Sequence, residues 1–184
     1  MYIKKIIILT VLICCIAGNG FTQNMVRPLV IGEKVPDVLM KEVINYGQSS
    51  VRISDFKGKL LILDFWATWC HWCIEAFPKA DSLQKQFGKK MQILLVDCRA
   101  TKDNEGKVSW FYKDRLIKYK DFKLPSVYMD TVLIKMFPHE LIPHYIWINK
   151  DGIVMAVTDE KEVTAANIQM ILDGKDVQLR AKTQ

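Results

Sequence analysis

Seven consecutive residues constrain this chain most: Leu60-Leu61-Ile62-Leu63-Asp64-Phe65-Trp66, apolar at every position but one. A short run with no polar alternation suits a central strand buried on both faces. The acid inside it is the anomaly, because burying a carboxyl is costly and favours its protonated form. Ala67-Thr68-Trp69 follow, and then Cys70-His71-Trp72-Cys73, two thiols separated by two residues.

A helical pattern begins at the cysteines and runs to Phe87, with Phe77, Leu83 and Phe87 apolar and Gly88 as its stop. Pro78 lies inside that helix and is expected to kink it. Met91 to Val96 reads as a second buried strand. Residues 107–120 and 130–137 read as helices, the second one shorter. His144 to Asn149 is a third strand, turned by Asp151-Gly152 into a fourth, Ile153 to Val157. Thr164 caps a closing helix that ends at Gly174. Upstream, residues 23–36 form an extended lead-in and 38–53 a hairpin turning at Gly47. This order gives an α/β sandwich whose mixed sheet is flanked by helices.

The 184-residue chain, half of it hydrophobic, has room for one core and shows no linker or repeat. Its first 22 residues are set apart. Lys4 and Lys5 precede an apolar run from Ile6 to Ala17, the pattern of a secretory signal with cleavage after Thr22. A lipoprotein signal is the alternative, lipidated at Cys14 or Cys15, although the preceding residue would then not be small. The expected mature domain is therefore 23–184, in an exported, periplasmic or extracytoplasmic setting. Losing Lys4 and Lys5 lowers the net charge from +6 to +4, spread among interleaved acids. Without a dense basic stripe, nucleic acid is not an expected partner.

Three cysteines remain: Cys70, Cys73 and Cys98. An odd number with one close pair points to redox work rather than to a disulfide framework. A helix N-terminus lowers a thiol's pKa, which makes Cys70 the attacking and more exposed thiol and Cys73 the resolving one. Asp64 is either a core acid satisfied by a hydrogen bond or water, or the acceptor of the Cys73 proton. Its place on the strand that runs into the CxxC favours the second. Zinc is the competing use of these thiols, with His139 and His144 completing a ligand set. The placement of the cysteines between strand and helix argues against it, and no metal is expected. Cys98, at the end of the second strand, is expected to be a semi-buried free thiol.

"LILDFWATWCHWC" resembles the active-site strand of the thioredoxin superfamily, and "FWATWC" is most similar to its TlpA- and ResA-type extracytoplasmic branch. "IGEKVPDVLM", Pro78 and "IPHYIWINKDG" extend the resemblance over most of the mature chain. It implies a thioredoxin-like fold with an N-terminal hairpin extension and an insertion before the cis-proline strand. It further implies Cys70 as nucleophile, Cys73 as resolving thiol, Asp64 as buried acid and Pro143 as a cis-proline beside the disulfide, with Ile142 offering backbone contacts to substrate. The spacer departs from the family, since His71-Trp72 contains no proline. A protonated His71 would make the disulfide more oxidising. Trp72 is either a docking surface or packing over the helix start, and Trp66 and Trp69 are expected to pack and shield. The implied activity is thiol-disulfide exchange on exported proteins, with no cofactor beyond the Cys70–Cys73 pair. Reduction is the favoured direction, with electrons supplied by a membrane or periplasmic donor protein. Disulfide oxidation or isomerisation, and a non-enzymatic binding scaffold, are the alternatives.

Overall fold

The computed structural model describes residues 26–116 and 121–182. The expected signal segment 1–22 lies outside the described residues, as does the end of the helix expected over 107–120.

Eight strands are present among the described residues: β1 (Leu39–Lys41), β2 (Val43–Ile44), β3 (Ser50–Arg52), β4 (Leu60–Trp66), β5 (Met91–Cys98), β6 (Ser126–Asp130), β7 (His144–Ile148) and β8 (Val154–Thr158). The helices are α1 (His71–Phe87), α2 (Glu105–Trp110), α3 (Leu133–Met136) and α4 (Ala165–Leu172). Six strands form one mixed sheet in the order β2-β6-β5-β4-β7-β8. β4 and β5 are parallel, as are β5 and β6, while β7 runs antiparallel to β4 and β8 antiparallel to β7.

All seven residues of β4 are buried, as a strand covered on both faces requires. Alternation divides its side chains between two cores. Leu60, Ile62 and Trp66 face α1, α2 and α4, packing with Phe77, Phe111 and Ile168. Leu61, Leu63 and Phe65 face Met40, Val51, Phe56 and Met136 on the other side. Trp66 anchors the first core, its ring 5.2 Å from Phe77 and 5.1 Å from Phe111, while its indole N–H donates to Ser126 Oγ at 3.0 Å. Burying a ring of this size contributes roughly 2–3 kcal/mol by transfer alone.

The hairpin expected over 38–53 is present as the antiparallel pair β1 and β3, and the segment between them adds β2, which crosses to β6 of the main sheet. Glu42, in the left-handed region at φ 56°, redirects the chain between the two sheets. The insertion expected before the cis-proline strand also supplies a strand of the main sheet, β6. Asp130, expected to begin a helix, ends β6 and caps α3, its carboxylate accepting from the Val132, Leu133 and Ile134 N–H groups. The helix expected over 107–120 starts at Glu105 and widens after Trp110 into a π-helical turn, Phe111–Arg115.

Candidate active site

The parallel strands β4 and β5 end on one edge of the sheet, and the antiparallel β7 begins there. The residues singled out in the sequence gather at that edge. Cys70 is the N-cap of α1 and is joined to Cys73 as a disulfide. Its Sγ accepts the Cys73 N–H at 3.3 Å, satisfying one of the orphan donors of the first turn. The 17-residue helix has no acid in that turn, so nothing offsets the positive end of its dipole beside the sulfur. Gly88, at φ 52°, ends the helix and donates to Gln84 O. Pro78 removes the donor that the Ile74 carbonyl would otherwise receive.

Cys70 is the more open of the two thiols, as expected, but only at 5% exposure against 0% for Cys73. Attack therefore reaches Cys70 along a narrow approach. Cys73 Sγ lies 4.0 Å from Phe65 O, at the top of β4.

Asp64 shares the face of β4 that Ile62 and Trp66 present to α1, the side that also holds both sulfurs. It is fully buried, and neither carboxyl oxygen has a hydrogen-bond partner among the described residues. Burial pushes its pKa well above the usual carboxylate range. Tyr145, its cross-strand neighbour, opposes that shift, and the negative charge of Glu160 adds to it. A buried acid so perturbed, beside a dithiol, is a candidate for proton transfer.

Ile142-Pro143 is a cis peptide bond, as the resemblance implied, directly ahead of β7. The Lys182 ammonium, reaching back from the C-terminal tail, donates to Leu141 O at 2.6 Å and to Pro143 O at 2.7 Å. The spacer side chains point outward, with His71 exposed and Trp72 72% exposed, so Trp72 does not pack over the helix start. Trp69 also differs from expectation. It is 61% exposed, and its indole N–H donates to Thr101 O at 3.0 Å.

His139 and His144 lie on the opposite face of the sheet, stacked at 4.4 Å beside Phe65. Both are held below the ordinary imidazole pKa by burial, His144 at about 3, where the nearby His139 and Lys182 lower it further. They line a cavity of about 420 Å³ with Leu141, Val157 and Lys182. The zinc set thus does not assemble, and among the described residues no three His, Cys, Asp or Glu side chains converge on a metal position. Cys98 is free and more deeply buried than expected. Burial and the nearby Asp130 and Asp97 push its thiol far up, so it is unreactive.

Several residues at this edge were not singled out in the sequence. The Asp103 carboxylate accepts from Thr68 N–H and from Thr68 Oγ1, both at 2.7 Å, holding the loop that leads into Cys70. Asp97 is a second buried acid, at the end of β5. Its signal, an acid within an apolar strand, is the same as that of Asp64.

Comparison with known proteins agrees with this geometry. A family model described as the AhpC/TSA family matches residues 31–157. Thioredoxin-like protein YneN of Bacillus subtilis is 32% identical over 80 residues, 44% of this chain and 45% of the relative. Thiol-disulfide oxidoreductase ResA of Oceanobacillus iheyensis is 30% identical over 98 residues, 52% of this chain and 50% of the relative. The chain thus spans about half the length of these two curated relatives. Among solved structures, a DsbF homologue from Corynebacterium diphtheriae superposes with a TM-score of 0.60 at 20% identity, covering 84% of this chain and 97% of that one. The fold is the thioredoxin-like one.

Proposed function

Since the chain belongs to the AhpC/TSA family and has a thioredoxin-like fold, we propose that it is a thiol-disulfide oxidoreductase that reduces disulfides of exported proteins. The observation that carries this reading is the fully buried, unpartnered Asp64 on the same face as a disulfide at a helix cap.

In the reduced protein, the Cys70 thiolate attacks one sulfur of a substrate disulfide. A mixed disulfide forms and the other substrate sulfur leaves as a thiolate. In its ionised form Asp64 takes the proton of Cys73, whose thiolate then attacks Cys70 Sγ. This closes the Cys70–Cys73 disulfide and releases the second substrate thiolate, so two electrons have passed to the substrate. A dithiol donor protein resets the pair. Exposed Trp72 and Trp69 on either side of Cys70 in the chain, and Ile142 ahead of the cis-proline, support a reading in which apolar and backbone contacts hold a substrate segment. Export rests on the sequence of residues 1–22 and on the redox pair, which needs an environment where substrate disulfides persist.

A Cys73→Ser variant is expected to accumulate Cys70-linked mixed disulfides in cells, and recovering none would favour a non-catalytic scaffold. Disulfide oxidation is the competing direction, favoured by His71 in the spacer. A reduction potential near about −270 mV supports reduction, whereas one near about −120 mV overturns it.

A further inference from the structure

Asp97 stands opposite Trp66 in the β4–β5 register, on the face of the sheet that carries α1. It is fully buried. Its Oδ1 lies 2.9 Å from Thr101 Oγ1, and its Oδ2 has no partner among the described residues. The same Thr101 hydroxyl is 2.8 Å from Cys98 O and accepts the Asp103 N–H at 3.1 Å. From there the chain reaches the active-site loop twice. Asp103 holds the Thr68 N–H and hydroxyl, and Thr101 O holds the Trp69 indole. The two residues immediately ahead of Cys70 are thus both tied to the segment 101–103.

We propose that Asp97, acting through Thr101 and Asp103, is a positioning residue that fixes the Thr68-Trp69 step ahead of the reactive cysteine. The inference rests on Cys70 being the nucleophile. Hydrogen-bond capacity shows how the clamp works. A hydroxyl has one proton to give and accepts two. When Asp97 is neutral it donates to Thr101 Oγ1, which also accepts from Asp103 N–H and gives its own proton to Cys98 O. Every group but Oδ2 is then satisfied, and an orphan carbonyl oxygen costs far less than an orphan carboxylate oxygen. When Asp97 is ionised, Thr101 must turn its proton to Oδ1, leaving Cys98 O without that bond and a charge buried beside the Asp103 carboxylate.

The surroundings favour the neutral form. Burial pushes Asp97 up to about 8, the adjacent Asp103 adds to this, and Thr101 and Lys107 oppose it. Cys98, the next residue, stays protonated and contributes no charge. The clamp is therefore intact at neutral pH and loosens as the solution becomes alkaline.

Trp69 reports its state. In the oxidised protein neither active-site sulfur titrates, so tryptophan emission is expected to change with a midpoint near pH 8. That change is expected to vanish in Asp97→Asn, whose amide donates to Thr101 at every pH, and to shrink in Trp69→Phe, which leaves only Trp66, the cross-strand neighbour of Asp97, to sense the charge. Thr101→Val cuts the relay without altering its shape, removing the hydroxyl's bonds to Asp97, Cys98 O and Asp103 N–H, and is expected to slow insulin-disulfide turnover at least about tenfold at pH 7. Asp97→Asn is expected to flatten the alkaline limb of the turnover profile. An emission titration that persists in Asp97→Asn, or keeps its full amplitude in Trp69→Phe, would overturn the proposal, and so would unchanged turnover in Thr101→Val. If Cys70→Ser kept full activity, the functional reading would fail while the emission titration still tested the clamp.

Discussion

Replacing Asp64 with Asn tests the buried acid directly, because the amide keeps the shape of the neutral carboxyl and cannot ionise. The folded protein holds the Asp64 proton far above the pH at which an unfolded chain releases it, about 3.9. Its folded-state pKa is raised, so the folded state binds more protons than the unfolded state across that window. Stability is then fully present below about pH 4 and falls as pH rises toward the folded value. The slope for one group is at most about 1.4 kcal/mol per pH unit. Urea unfolding of the oxidised proteins at pH 5, 6 and 7 measures it. Asp64→Asn is expected to gain on the natural protein steadily through that series. It is also expected to lose about a hundredfold in turnover with insulin, since proton transfer to a placed base contributes about that much. Mixed disulfide should accumulate, because attack by Cys70 is untouched and resolution by Cys73 is slowed. A stability difference that stayed constant from pH 5 to pH 7 would refute the perturbed acid and, with it, the proton-acceptor role.

Further outcomes test other parts of the site. Lys182→Met keeps the aliphatic stem but removes both bonds to the cis-proline loop. It is expected to raise KM for a protein disulfide several-fold with a smaller change in kcat, and equal losses in both would show that Lys182 does not position substrate. His144 is held neutral down to about pH 3, so its sign is opposite to that of Asp64: the unfolded chain gains a proton below about pH 6.5 and stability falls with it. The natural protein is expected to lose about 3 kcal/mol between pH 7 and pH 4 from this group, and His144→Leu to flatten that limb in urea unfolding. An unchanged acid limb in the variant would assign the loss to other groups.

The parts legible in the sequence are those whose signal is local. β4 announces itself by seven residues, α1 by its period and by Gly88, and the redox pair by spacing and by the strand that feeds it. β6 was hidden because it is five residues long, begins at a Ser that bonds Trp66 and ends at an Asp that caps a helix, so its own pattern is weak. The two-residue β2 owes its existence to a partner more than 80 residues downstream. The clamp on the active-site loop was hidden for the same reason. Asp103 is 35 residues from Thr68, and Lys182 is 39 from Pro143, so neither bond leaves a trace in local spacing. Trp69 was misjudged because burial of an aromatic is a property of the assembled surface, and here the loop turns its ring outward.

Asp97 alone carried a readable sign, and its meaning follows from comparison with Asp64. Both acids sit on the α1 face of adjacent parallel strands, two positions apart in register, since Asp64 pairs with Leu95 and Trp66 with Asp97. The stacked imidazoles occupy the other face of the same edge. Ionising either acid puts a charge into the core that contains the disulfide, and protonating either imidazole puts one beneath the cis-proline loop. The sheet between them keeps the two systems apart, so neither can neutralise the other by forming an ion pair. The two acids and the two imidazoles are consequently all uncharged only in the interval between imidazole and acid titration. In that interval the helix dipole at Cys70 and the Lys182 ammonium at the cis-proline loop are the local fields that remain. Ionisation of Asp97 should therefore perturb a reduced-state titration of Cys70 only on the alkaline side.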